Sequence, residues 1–97
     1  MTELVSWYRM EFKVIDSKEN KKYKLFKSLY LKKNRDKYEL FLLEGKKLLI
    51  EAINENLNIE NIICTEKFIE NFNLKKEYLD KVIILSENLF KNLTELA

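Results

Sequence analysis

Three short apolar runs alternate with amphipathic segments through most of this chain, and this alternation narrows its possible folds more than any other feature. Each run is continuously apolar, which is typical of a strand covered on both faces. Each is followed by a segment with the apolar period of a helix. The strands predicted from these runs are residues 40–43, 61–64 (apolar from Ile62) and 82–85, and the helical segments are 46–56, 66–72 and 87–96. Repeated strand–helix units predict an α/β fold with a mostly parallel sheet and helices on both faces.

Two further elements precede these units. Met10, Phe12 and Val14 alternate with polar residues, which predicts a short strand. Residues 21–33 predict an amphipathic helix, and residues 34–37 predict a turn. One arc of the helix is apolar and the opposite arc is basic. The apolar arc holds Tyr23, Phe26, Leu29 and Tyr30, and the basic arc holds Lys21, Lys24, Lys27 and Lys32.

Local signals mark where several elements begin and end. Gly45 is the only glycine and follows the first apolar run, which predicts either a backbone conformation denied to other residues or a close approach by another backbone segment. Thr65 and Ser86 precede helical segments and are expected to cap them. Asn58 is expected to take the left-handed conformation that ends a helix.

The length of 97 residues predicts one small domain. We assign it to residues 10–97 and interpret residues 1–9 as an N-terminal extension, expected to be disordered or loosely packed. No run of about 18 apolar residues is present, so no membrane span is predicted. The single cysteine, Cys64, cannot form an internal disulfide, which fits a reducing cytoplasm.

The residue types present exclude several kinds of active site. The chain has no histidine, which excludes Ser-His-Asp and Cys-His catalysis and argues against a zinc site. No glycine-rich phosphate loop follows a predicted strand. Glu44 is the one acid at the carboxyl end of a predicted strand, where parallel sheets bind ligands. We interpret it as structural rather than as a general acid or base, so no catalytic, metal or cofactor residue is predicted.

Positive charge is concentrated in residues 17–37. This segment has nine Lys and Arg against two Asp and Glu, a net charge of +7, while the whole chain has a formal net charge of +2. A basic segment on an acidic body favours a polyanionic partner such as RNA. Another explanation of this charge remains open: the lysines form a solvated face that binds no specific partner.

The same stretch carries an ordered series of motifs whose spacing has no gap between residues 20 and 45. The series is Ser17-x-x-Asn20, Lys24, Lys33-x-Arg35, Phe41-Leu-Leu-Glu-Gly45 and Glu51-Ala52, followed by Ile59, Ile62 and Thr65, and then by Ser86, Leu89, Phe90 and Leu93. In this series, residues 10–96 resemble the N-terminal substrate-binding domain of SpoU-type (TrmH-like) RNA ribose 2′-O-methyltransferases. Lys21 departs from the family pattern, which has a proline there.

The resemblance implies a fold, a function and a partner. The implied fold is a three-layer α/β/α sandwich, similar to kink-turn-binding ribosomal proteins. The implied function is to bind RNA, expected to be ribosomal RNA, for methylation of a ribose 2′-hydroxyl. The family's last strand and its catalytic domain, which binds S-adenosylmethionine, are not found in the sequence, so this chain alone is predicted to be inactive. A homodimer is expected through the exposed sheet edge.

The residues expected to contact RNA come from the basic segment and from the Glu-Gly corner. They are Asn20, Lys21, Lys24, Lys27, Lys33, Arg35, Lys37, Glu44, Gly45 and Lys46. Two other interpretations stay open. One is a stand-alone kink-turn-type RNA-binding protein without enzymatic activity, and the other is a protein-interaction module with a solvated lysine face.

Overall fold

The computed structural model describes residues 12–96, and the elements within them form an α/β fold. The predicted extension at residues 1–9 lies outside the described residues, as does Met10 of the first predicted strand. The elements in chain order are β1 Lys13–Ile15, α1 Lys21–Ser28, α2 Lys32–Tyr38, α3 Lys46–Asn54, β2 Ile62–Cys64, α4 Glu66–Asn71, a 3₁₀ helix Lys76–Lys81, β3 Val82–Leu85 and α5 Glu87–Thr94.

The three strands form a parallel sheet in the order β1-β3-β2. Val14 pairs with Ile84 on one side of β3, and Ile63 pairs with Ile83 on the other side. All four residues of β3 are buried. The central strand is therefore covered on both faces, as its apolar run predicts.

Alternation along β3 divides the core into two layers. Ile83 and Leu85 share one cluster with Tyr23 and Phe26 of α1 and with Leu89 of α5. Because successive side chains of a strand point to opposite faces, Val82 and Ile84 belong to the second cluster. That cluster also includes Leu49 of α3, Phe68 of α4 and Tyr78 of the 3₁₀ helix. Helices therefore cover both faces, and the predicted three-layer α/β/α sandwich is confirmed.

Side-chain caps fix the starts of three helices. Asn20 Oδ1 accepts from the amides of Lys22 and Tyr23 at 2.9 and 3.2 Å. Thr65 and Ser86 accept from the amides of Phe68 and Leu89, which confirms both predicted caps. Each cap satisfies an amide that has no partner inside its helix.

The prediction of one helix over residues 21–33 is wrong. Helix α1 ends at Ser28, and Leu31 is extended before α2 begins at Lys32. The predicted turn at residues 34–37 therefore lies inside α2. The break is stabilised because Asn34 and Arg35 donate side-chain hydrogen bonds to the carbonyls of Ser28 and Leu29, both at 3.0 Å.

The prediction of a buried strand at residues 40–43 is also wrong. The segment pairs with no strand of the sheet, and β1 occupies the position beside β3 instead. Phe41 is 67% exposed and Leu43 is 46% exposed, so the segment is covered on one side only. An apolar run favours a strand locally, but it does not show that another strand lies close enough to pair with it.

The turns before and after α3 match the sequence prediction only in part. Gly45 precedes α3 with a φ of 100°, which confirms the unusual backbone conformation predicted for it. Helix α3 ends at Asn54, and the left-handed residue after it is Asn56, with a φ of 56°, rather than Asn58. Asparagine tolerates this conformation because its side chain can bond its own backbone. No helix within residues 12–96 is long and apolar enough to cross a membrane.

The hydroxyl of Tyr23 ties α1 to α5 through the core. Tyr23 is 1% exposed, and its hydroxyl donates to the carbonyl of Leu89 at 2.9 Å. Tyr23→Phe leaves that buried carbonyl without this donor, so we expect a loss of about 1–2 kcal/mol in the free energy of unfolding. Urea denaturation measures the loss. Tyr38→Phe is the control, because Tyr38 is exposed, and a similar loss in both variants would contradict this role for Tyr23.

Candidate nucleic-acid interface

Helix α1 presents a row of lysines on the face opposite to its buried aromatic residues. Lys21, Lys24 and Lys27 are spaced three apart, which places them next to one another on the helix surface. All three are exposed, whereas Tyr23 and Phe26 are buried in the core. The amphipathic pattern predicted for this part of the sequence is therefore confirmed.

Two of these lysines have weak local partners. Lys24 Nζ lies 3.0 Å from Glu19 Oε2, and the hydrogen bond and charge of Lys24 lower the pKa of Glu19. Both side chains are mostly exposed, so this ion pair is worth little and a phosphate group can replace the carboxylate. Lys27 Nζ lies 5.8 Å from the centre of the Tyr23 ring, within the range of a cation–π contact. This contact leaves the charge of Lys27 at the surface.

Helix α2 carries further basic residues and is fixed to the end of α1. The guanidinium of Arg35 donates to the carbonyl of Leu29, and Arg35 is half-buried. Carbonyls at the end of a helix have no partner inside it. Arg35 supplies a hydrogen-bond donor to one of these carbonyls where the two helices meet. Its geometry is therefore explained structurally, and Nη1 is not free for a bidentate phosphate contact.

The remaining basic residues of α2 differ in their surroundings. Lys33 is exposed, whereas Lys32 pairs with Asp36 at 2.8 Å. Lys37 Nζ lies 5.2 Å from the centre of the Tyr38 ring. Tyr38 is 44% exposed. An exposed aromatic ring beside a lysine can stack on an unpaired base while the ammonium binds phosphate.

Glu44 is held by a tyrosine. The Tyr30 hydroxyl donates to Glu44 Oε1. Burial and then the neighbouring carboxylate raise the pKa of Tyr30 well above its usual value. This hydrogen bond joins the connection after α1 to the corner before α3. It supports the structural interpretation of Glu44 over that of a general base.

The structure separates the predicted RNA-contacting residues into structural and exposed ones. Asn20, Arg35, Glu44 and Gly45 have structural roles as caps, a corner contact and a turn. Lys46 lies 5.9 Å from the ring of Phe72, after α4, and so contacts a different part of the fold. The exposed lysines of the predicted set that lie on α1 and α2 define what we call the basic face. It consists of Lys21, Lys24, Lys27, Lys33 and Lys37.

An apolar cleft borders α1, and the sequence did not predict it. Its volume is about 670 Å³, and it is lined by α1, residues 39–46, α3 and β2. Lys22 borders it and donates to Asn61 Oδ1 at 3.4 Å. No sequence signal marks such a cleft, because its lining comes from segments that lie far apart in the chain.

Acidic and sulfur groups do not form a metal centre in the described part of the chain. No three Cys, Asp or Glu side chains of residues 12–96 are grouped to hold an ion. Cys64 is buried in the second core cluster, and burial raises its pKa to about 11. A thiol in this environment behaves as a core residue.

The sequence profile of a known family matches the chain from Asn20 onward. The family is described as the MRM3-like substrate binding domain, and the match covers residues 20–97, well over half of the chain. The chain belongs to this family. No curated protein matches the sequence significantly.

The MRM3-like match includes the basic face and most of the fold. The match begins at Asn20, the residue that caps α1. Strand β1 therefore lies outside the matched residues, although it pairs with β3 in the sheet. The resemblance to a substrate-binding domain is thus confirmed at the level of the family. The predicted roles of individual residues in RNA contact stay predictions.

Arg35 and Lys33 lie on the same helix, α2, but only Arg35 is expected to stabilise the fold. Arg35→Ala removes the donor to the Leu29 carbonyl, so we expect the free energy of unfolding to fall by about 1–2 kcal/mol. Lys33→Ala, on the same helix but exposed, should change it by less than about 0.5 kcal/mol. Urea denaturation compares the two variants. Equal stabilities would show that the Arg35 contact does not stabilise the corner.

The raised pKa of Cys64 predicts slow thiol chemistry. With its pKa moved from 9.0 to about 11, the thiolate fraction at pH 8 falls about 100-fold. We therefore expect N-ethylmaleimide to modify the folded protein at least that much more slowly than the protein in urea, as followed by mass spectrometry. Equal rates in the two states would contradict the burial of this thiol.

Proposed function

We propose that this chain is the RNA substrate-binding domain of a SpoU-type RNA ribose 2′-O-methyltransferase that acts on ribosomal RNA in the cytoplasm. The observation that carries the proposal is the family match over residues 20–97, which includes every residue of the basic face. The ordered motifs between Ser17 and Gly45 support the SpoU-type assignment. Binding and orienting RNA is the role of this chain in the proposal.

The charge of the basic face supports RNA as the substrate. Its five lysines are exposed and are carried by two helices that are joined at one corner. Phosphate groups bind such surfaces by charge, and the affinity falls as salt rises. Lysine contacts of this kind position RNA without reading its sequence.

Tyr38 supports recognition of an unpaired base next to the phosphates. Sequence-specific RNA recognition relies largely on single-stranded bases that stack on aromatic rings. Tyr38 is the aromatic residue that the basic face exposes, and Lys37 lies over its ring. In the proposal, the lysines bind the backbone and Tyr38 stacks on one base.

Methyl transfer belongs to a separate catalytic domain in this proposal. S-adenosylmethionine would supply the methyl group there. The described residues do not fit this cofactor, because the one glycine, Gly45, forms the corner before α3 and the cleft is lined mainly by large apolar side chains. No step of the methylation is therefore assigned to residues of this chain.

Removing charge from α1 tests the proposal. Lys21, Lys24 and Lys27 are replaced together by Gln, and binding to a structured ribosomal RNA fragment is followed by fluorescence anisotropy across a salt series. We expect weaker binding and a slope of log affinity against log salt that is smaller by about 2–3, because about 0.7–0.9 is lost for each phosphate contact.

A charge-matched variant is the control. Lys67, Lys75 and Lys76 are exposed and belong to α4, the 3₁₀ helix and the connection between them, on the opposite side of the sheet. Replacing these three by Gln changes the net charge equally but should leave the salt slope unchanged. Equal effects of both triple variants, or no binding by the unchanged protein at low salt, would refute the proposed interface.

A further inference from the structure

Asp36 is a negative charge inside the most basic part of the chain. Residues 17–37 hold nine Lys and Arg and only two acids, which are Glu19 and Asp36. Asp36 lies on α2, three residues after Lys33 and next to Lys37, so it is a surface neighbour of the basic face. Its carboxylate pairs with Lys32 at 2.8 Å. A carboxylate in this position opposes the binding of phosphate, so its presence there needs an explanation.

The stability of α2 does not explain Asp36. The helix dipole favours acids in the first turn and bases in the last turn. Lys32 is the first residue of α2 and Asp36 lies in the last turn, so each charge lies at the unfavourable end. A lysine four residues before an acid is also the weaker order for such a pair. The two side chains are 79% and 66% exposed, so the ion pair between them contributes little to stability.

Glu19, the other acid of this segment, has a structural explanation. It precedes Asn20, the cap of α1, where a negative charge stabilises the helix. The amide of Glu19 also donates to Ser17 Oγ at 3.2 Å, within the turn that leads into α1. The acid whose position the fold does not explain is therefore Asp36.

The helical period places Asp36 and Tyr38 on opposite flanks of the lysines of α2. At about 100° per residue, Lys33 and Lys37 lie only about 40° apart around the helix. Asp36 lies about 60° from Lys33 on one side, and Tyr38 lies about 100° from Lys37 on the other side. The two lysines thus have one flank that repels phosphate and one flank with an exposed aromatic ring.

We propose that Asp36 is a specificity-determining residue of the RNA site, which keeps the RNA backbone off its flank of α2 and so directs the bases towards Tyr38. RNA bound in this orientation places phosphates at Lys33 and Lys37 and avoids the carboxylate. RNA that is held by charge alone adopts many orientations, and those that bring a phosphate to Asp36 are disfavoured. Repulsion of this kind discriminates between partners without adding attraction. The inference rests on the proposed function, because it concerns how the basic face selects RNA.

The variant Asp36→Asn tests this role with two RNAs, poly(U) and a structured ribosomal RNA fragment, by fluorescence anisotropy at one fixed salt concentration. Poly(U) binds by charge in many registers, so its affinity should rise about 2–5-fold when the repulsion is removed. The structured fragment is bound in an orientation that already avoids Asp36, so its affinity should change by less than about 1.5-fold. The preference of the protein for the structured fragment should therefore fall.

Two further variants are the controls. Asp36→Glu keeps the charge and should keep the preference of the unchanged protein. Glu77→Gln removes an exposed acid of the 3₁₀ helix, changes the net charge as Asp36→Asn does, and should leave the preference unchanged. An equal gain for both RNAs in Asp36→Asn, or the same loss of preference in Glu77→Gln, would overturn the role of Asp36 while RNA binding stands. Failure of the unchanged protein to bind either RNA would refute the proposed function, and this inference with it.

Discussion

The burial of β3 between two sheet neighbours and two helical layers is the constraint on which the rest of this structure depends. Its four residues are apolar and alternate between the two core clusters. A single strand thus needs apolar cover on both faces, and α1 supplies part of that cover on one face. The position of α1 is set by Tyr23 and Phe26, whose burial directs the opposite side of the helix to solvent. The lysine row is exposed because the aromatic row is buried.

The corner between α1 and α2 connects this packing to the proposed function. The side chains of Asn34 and Arg35 donate to the last carbonyls of α1 and its following turn. Two short helices are thereby held in one arrangement, which keeps the five lysines of the basic face on a common support. Arginine is suited to the corner because its planar group presents several donors in a fixed geometry. A residue that the sequence suggested as an RNA contact thus serves to shape the surface around it.

The sequence predicted the elements whose signals are local and strong. Strands β2 and β3 follow from continuous apolar runs, and the caps Thr65 and Ser86 follow from their position before helical patterns. The break after Ser28 was not predicted, because Leu29 and Tyr30 continue the helical period and the donors that stabilise the break lie several residues later. The family motifs identified the kind of domain, which periodicity and charge could not do.

Residues 40–43 show where a local pattern is insufficient. They have the composition of a buried strand, yet strand formation also requires an accessible edge and a cover. The segment pairs with no strand of the described sheet, and Phe41 and Leu43 are exposed.

Lysine footprinting tests the central claim most directly. The full chain is acetylated at limiting reagent with and without a structured ribosomal RNA fragment, and mass spectrometry reports the modification of each lysine. The account predicts that RNA protects Lys21, Lys24, Lys27, Lys33 and Lys37, while Lys67, Lys75 and Lys76 are modified as in the free protein. Protection spread evenly over all lysines, or confined to the α4 side, would contradict it.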